Sequence, residues 1–259
     1  MSDIKSNLSA SVYVFFPHDD PNSDCMPVAD CAKAIVDDGL GVEVFLSEYN
    51  YKPYTQQAIE QIREIGKKAK FLTCHTNQFE WDYDKLMAEI PMVASFSGSV
   101  LVVHSATFGL EHCDNPPSPQ TLRDICKFAA DSGIMLAFEN SGRTGIAMMR
   151  HALDVIGSVP GLGICIDTGH ANRSKALDGV PVEDYLREFC DLIIELHIND
   201  NLGKEDLHLP PGEGNIDWNA VMTELRALPQ DTFMCIELAN HGDDAISLIH
   251  QSCDFLTRS

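Results

Sequence analysis

The 259-residue chain carries 18 Lys and Arg against 39 Asp and Glu, a formal net charge of −21, and is 44% hydrophobic and 22% charged. These are the proportions of a soluble globular protein, and no apolar run reaches membrane-spanning length. The acidic balance weighs against docking on a nucleic-acid backbone, where Lys and Arg must replace counterions, although bound divalent cations would offset it locally.

The opening, MSDIKSNLSASVYVFF, lacks a basic start followed by an apolar core and a cleavage site, so a cytoplasmic protein is expected. The first predicted strand is 11–16, SVYVFF, followed by a helix over 26–38 that stops at Gly39. The second strand is 41–47. Residues 55–69 then read as an amphipathic helix with Ile59, Ile62 and Ile65 on one side. The third strand is 70–76, and helical material over 83–90 leads to the fourth, 99–105. A Pro-rich loop precedes the helix 119–132, which Gly133 ends. The fifth strand is 134–140. A helix over 145–157 leads to the sixth, 163–168, and a helix over 182–189 to the seventh, 191–198. A long loop, 199–216, precedes a helix starting near Asp217. The eighth strand is 232–238, and a last helix covers 243–255. Nine cysteines include no CxxC pair. Cys74, Cys165 and Cys235 fall inside apolar strands and read as buried, reduced thiols.

Eight near-continuous apolar strands, each followed by helical material, imply a parallel sheet covered by helices. Eight such units in about 250 residues match a (β/α)8 TIM barrel forming a single α/β domain over 1–259. An open doubly wound sheet would place a Gly-rich phosphate turn after the first strand. The chain has FFPHDDPNSD there instead.

At or just past the predicted strand ends stand His75, His104, Glu139, Asp167, His170, His197, Asp206, His208 and Glu237. In a closed barrel these ends converge on one mouth, where such enzymes carry their chemistry. Carboxylate oxygens and neutral imidazoles suit a divalent cation of the Mn, Zn, Co or Mg group. Packed carboxylates would otherwise repel one another. His18, after the first strand, is a candidate to line the pocket. Arg143 is a candidate to hold a substrate hydroxyl or phosphate. Asn140, Asn172 and Asp200 are candidates to orient ligands.

The segments LAFEN, CIDTGHAN, ELHINDN, DLHLPPGEGNIDW and CIELAN resemble the xylose isomerase-like TIM barrels. That superfamily holds sugar isomerases and epimerases, inosose dehydratases and type IV apurinic endonucleases. The resemblance spans the barrel and is strongest from residue 134 onward. It implies that Glu139, Asp167, His197 and Glu237 form the metal quartet of the sugar epimerases. Glu139 and Glu237 would then exchange protons with the substrate on opposite faces. The implied chemistry is metal-assisted proton transfer through an enediolate. The implied partner is a small carbohydrate, free or phosphorylated. Self-association into a homo-oligomer stays open, as does a lyase or dehydratase reaction. Glu43 resembles a strand-end Glu of the family, or sits hydrogen-bonded inside the barrel.

The endonuclease branch implies a rival map with three zinc ions. His75, His104 and Glu139 would hold the first, Glu139, Asp167, His197 and Glu237 the second, and His170, Asp206 and His208 the third. That arrangement suits phosphoester hydrolysis. Sugar chemistry is favoured because the loops lack an interleaved basic and aromatic surface. Superfamily members with the DLHLPPGEGNIDW type of loop are also usually described as sugar isomerases or epimerases. A non-catalytic, metal-stabilised binding barrel is the third reading.

Overall fold

The eight expected strands form, each short. They are β1 (Leu8–Ser11), β2 (Gly41–Phe45), β3 (Leu72–His75), β4 (Val100–His104), β5 (Met135–Glu139), β6 (Leu162–Asp167), β7 (Ile193–Ile198) and β8 (Phe233–Ile236). In the computed structural model, which describes residues 4–16, 25–111, 113–239 and 244–258, they pair in parallel. The barrel closes where Leu8, Ser9 and Ala10 pair with Met234, Cys235 and Ile236. The helices are α1 (Val28–Asp37), α2 (Gln56–Gly66), α3 (Tyr83–Ser95), α4 (Pro119–Asp131), α5 (Ile146–Ile156), α6 (Thr168–Asp178), α7 (Val182–Glu188), α8 (Trp218–Leu225) and α9 (Ala245–Thr257). Among the described residues no helix is long and apolar enough to cross a membrane.

Two elements depart from expectation. β1 begins three residues earlier than the SVYVFF run, and Val12–Phe15 coil into a 3-10 turn stabilised by a Tyr13 N–H bond to Ser11 Oγ. α6 falls in a stretch for which no helix was expected. Its sequence, TGHANRSKALD, has no apolar stripe, so periodicity is silent there. Asp167 starts it by accepting the backbone N–H of His170 as N-cap.

Alternation sends one set of strand residues outward and the other into the lumen. Outward-facing Val42, Val44, Leu101, Val103, Phe138, Ile164, Ile166 and Leu196 are buried against the helices. Inward-facing Val100, Val102, Ala137 and Cys165 make a second, smaller cluster. Cys74, Cys165 and Cys235 are fully buried, as expected. Met135, Ile194 and Phe233 pack against that cluster, and beside it the lumen carries buried polar groups. Thr73 on β3 donates to Glu195 on β7 across 2.8 Å, and Glu43 on β2 meets His197 on β7. These strands are not neighbours, so the contacts cross the barrel. Ser9, Glu43, Thr73 and Glu195 are all fully buried.

Candidate metal centre

The carboxyl ends of six strands bring the nine expected groups to one mouth. Glu139 ends β5, Asp167 ends β6, His75 ends β3 and His104 ends β4. His197 lies one residue inside β7, and Glu237 one residue past β8. Potential ligand atoms of Glu139, Asp167, His197 and Glu237 all lie within 4.8 Å of one another. The same holds for His75, His104 and Glu139, and for His170, Asp206 and His208. Arg143 is exposed on the turn after β5, at the edge of the same mouth. His18 lies outside the described residues.

Five imidazoles share one arrangement. In each, one ring nitrogen is tied to an oxygen that accepts a proton and the other faces the centre. Nδ1 of His75 lies 2.6 Å from the Thr76 carbonyl, and that of His104 lies 3.3 Å from the Gln78 carbonyl. Nδ1 of His170 lies 3.0 Å from the Asn140 carbonyl, and that of His208 lies 3.1 Å from the Glu237 carbonyl. A carbonyl can only accept, so Nδ1 carries the proton and Nε2 is turned toward the carboxylates. His197 is reversed. Its Nε2 lies 3.0 Å from Glu43 Oε2, while Nδ1 lies 3.1 Å from Glu139 Oε1 and 3.2 Å from Glu237 Oε2. A ring fixed on one side by an acceptor and presenting its other nitrogen is the usual posture of a metal-ligating histidine.

The carboxylates are oriented as firmly. Asp167 Oδ2 accepts from Asn199 Nδ2 at 2.7 Å, and Oδ1 caps α6. Glu139 Oε2 is buried without an aligned hydrogen bond, 3.1 Å from His104 Nε2 and 3.5 Å from His75 Nε2. An unpaired buried carboxylate oxygen facing two imidazole nitrogens fits a bound cation. Gly169 permits this closeness, since a Cβ there would lie 1.9 Å from Asn199 Oδ1.

The electrostatics follow from crowding. Burial would push Glu139 upward, but the imidazoles gathered on it, His104 foremost, hold it well below the usual carboxylate range. Burial opposes ionisation of Glu237 too, yet the His197 charge brings it down to about 2. Burial would lower His75, but contact with Glu139 lifts it to about 9. His208 is lifted to about 9 by Asp206 against the same burial. Asp167 is raised, chiefly by burial. Beneath the centre, burial and then the Glu43 charge push Glu195 up to about 8.

The loop 199–216 is built on one buried carboxylate, Asp200. Its Oδ1 accepts from the N–H groups of Asn201 and Ile216, and its Oδ2 from Gly212 N–H and Trp218 Nε1–H. Gly214 is required there, because a Cβ would lie 2.1 Å from Asp200 Oδ1. The loop delivers His208 with φ of +45°, a left-handed backbone that a residue with a Cβ adopts at a cost. Asp217 caps α8, accepting the N–H groups of Asn219 and Ala220. Arg173, Asn199 and Glu195 were not singled out from sequence. Arg173 follows His170 by three residues, a spacing that matters only once α6 is known to be helical.

A family model described as xylose isomerase-like TIM barrel matches residues 28–259. The uncharacterized protein MJ1311 of Methanocaldococcus jannaschii is 35% identical over 131 residues, which is 48% of this chain and 43% of that protein. The chain spans about half the length of this and a second curated relative that it matches. A D-tagatose 3-epimerase-like protein superposes with a TM-score of 0.71 at 20% identity, covering 96% of this chain and 95% of the other. An L-ribulose 3-epimerase gives 0.71 at 14% identity, with 96% and 92% covered. The IOLI protein with a zinc atom gives 0.69 at 13% identity, with 96% and 95% covered. At these identities what is shared is the barrel.

Proposed function

The chain belongs to the xylose isomerase-like TIM barrel family, and from that premise we propose that it is a metal-dependent isomerase or epimerase of a small carbohydrate. One observation carries the reading. Glu139 and Glu237, from β5 and the end of β8, reach the same nitrogen, His197 Nδ1, at 3.1 and 3.2 Å. Two ionised carboxylates thus flank one point from different sides of the mouth. The structural neighbours titled as sugar epimerases support the reading by analogy of fold.

A sugar carbon beside a carbonyl is a weak acid. A divalent cation at the quartet supplies the Lewis acid that stabilises negative charge on neighbouring substrate oxygens. Glu139, Asp167, His197 and Glu237 would hold it. Glu139 and Glu237 remove and return the proton at carbon, each fit for acceptance because both are held ionised. Glu43 fixes the His197 ring and Asn199 fixes Asp167. The purified protein should turn over members of a ketose panel with Mn, Co, Zn or Mg and exchange the adjacent C–H with solvent deuterium. Glu139→Gln and Glu237→Gln should each lower the rate by about 10²–10⁴-fold. Robust turnover by both variants would sink the assignment.

A second reading, a multinuclear zinc phosphoester hydrolase, draws on a different observation. Glu139 points Oε1 at His197 and Oε2 at His104 and His75, so it would serve both the quartet and the His75–His104 group if each held an ion. Multimetal sites clamp the attacking and leaving oxygens of phosphoesters. Elemental analysis separates the two readings: one ion per chain favours the isomerase, three favour the hydrolase.

A further inference from the structure

The mouth opens on one side into a cavity of about 370 Å³. One wall carries His104, Glu139 and His170, and the rim carries Arg143 and Arg173; of the other acids lining it, Glu111 accepts from Ser105 Oγ and Asp206 pairs with Arg173. Two arginines on one small cavity stand out in a chain with 18 basic and 39 acidic residues. Among the described residues the Arg143 guanidinium makes no hydrogen bond or ion pair. It projects from the turn that follows β5. Arg173 is half-buried on α6. Its Nη1 lies 3.1 Å from Asp206 Oδ2, but its Nε is buried with no hydrogen-bond partner. Gly142 makes room for it, since a Cβ there would lie 3.1 Å from Nη1. A buried charged donor left without an acceptor costs free energy that a ligand oxygen would recover.

We propose that Arg143 and Arg173 form a phosphate subsite, so that the substrate is a phosphorylated ketose gripped at the end remote from its reacting carbons. The inference rests on the isomerase or epimerase reading and narrows its substrate class. Guanidinium forks match the oxygens of a phosphate monoester, whose several acceptor oxygens can meet the Arg143 guanidinium and the unpaired Nε of Arg173 together. Asp206 already pairs with Nη1 of Arg173, so the donors left over are the Arg143 guanidinium and Arg173 Nε, more than a single hydroxyl oxygen can meet. The cavity volume suits a small metabolite lying between the ligand wall and the rim. Local cations also matter for approach, because a dianion nearing a chain of net charge −21 is otherwise repelled.

The test uses the intact, metal-loaded protein with metal content measured for each variant. Ketose phosphates and the corresponding free ketoses are compared by kcat/KM, and inorganic phosphate binding is followed by calorimetry. We expect the ester to be preferred by about 100-fold or more, through KM more than kcat. Arg143→Ala should cut that preference and weaken phosphate binding by at least about tenfold. Arg143 is exposed, and its guanidinium has no partner among the described residues, so this variant should fold. Arg173→Lys, which keeps a cation beside Asp206, should give a smaller loss of the same kind. Free ketoses or sugar acids used as well as the esters would overturn the subsite, as would phosphate binding equally to all variants through the metal alone. No ketose turned over, with phosphate binding still dependent on the arginines, would instead overturn the isomerase reading and retain the subsite.

Discussion

Glu43 is the residue whose role depends most on closure of the barrel. It touches no substrate-facing space, being fully buried, yet it holds Nε2 of His197 from the far side. Replacing it with Gln keeps the shape but gives up the charge that sets the ring's proton. Partners of this kind are worth about 10–100-fold in metal affinity. Glu43→Gln should lower affinity by that factor in chelator competition, with the fold intact by circular dichroism. An unchanged affinity would mean that His197 is positioned by other contacts. The histidines make a second prediction, on pH. His75 and His208 have pKa values near 9, against about 6.5 for a free imidazole. In chelator-treated protein each binds its proton more tightly folded than unfolded. Its stabilising contribution is therefore complete below about pH 6.5 and lost as the pH rises through about 9. Buried Glu195, raised to about 8 from the 4.5 expected of it unfolded, acts in the same direction. The melting temperature of the stripped protein should fall between pH 6.5 and 9. With metal present the slope should vanish or reverse, because the ion binds neutral imidazole and releases protons. A stripped protein with a flat profile would contradict this charge balance.

At the level of elements, two devices hold the mouth in shape. One is Asp200, with four donors on a single buried carboxylate. Trp218→Phe removes one donor while keeping a ring packed beside Phe255. It should cost about 1–3 kcal/mol in thermal or denaturant unfolding. The other device is the start of α6. Gly169→Ala would drive a methyl into Asn199, which holds Asp167. A loss of about 1–3 kcal/mol is expected for such overpacking, with weaker metal binding alongside. These two elements also mark the limits of sequence reading. Strand ends were legible because apolar runs stop at a carboxylate or imidazole, as in CIDTGH and ELHIND. The site residues followed because they stand on those ends. α6 was hidden because it is started by its cap and held by polar contacts. Ser174, for example, hydrogen-bonds Tyr185 on α7. Arg173 was hidden with it. β1 was misplaced because VYVFF looks more strand-like than LSAS, whereas pairing with β2 and β8 selects the latter. The Glu43–His197 contact joins residues 154 positions apart, a separation that no local pattern reports.

On the metal-dependent reading, stability and occupancy are linked across the whole molecule. Stripping an ion that binds only the folded chain removes about 4 kcal/mol when its free concentration is a thousand times Kd. A chelator should lower the unfolding midpoint measurably, and re-addition of the ion should restore it. An unchanged midpoint would mean that the gathered acids and imidazoles do not need a cation to coexist. Closure of the barrel has a further consequence in time. The quartet draws on strands from β5 to the residue beyond β8, and β8 must pair with β1 before the ring exists. No growing chain on a ribosome owns the centre until translation has passed Glu237. On the metal-dependent reading proposed above, the quartet is complete only once Glu237 has been made and β8 has closed on β1, so a product truncated before Glu237 would lack it.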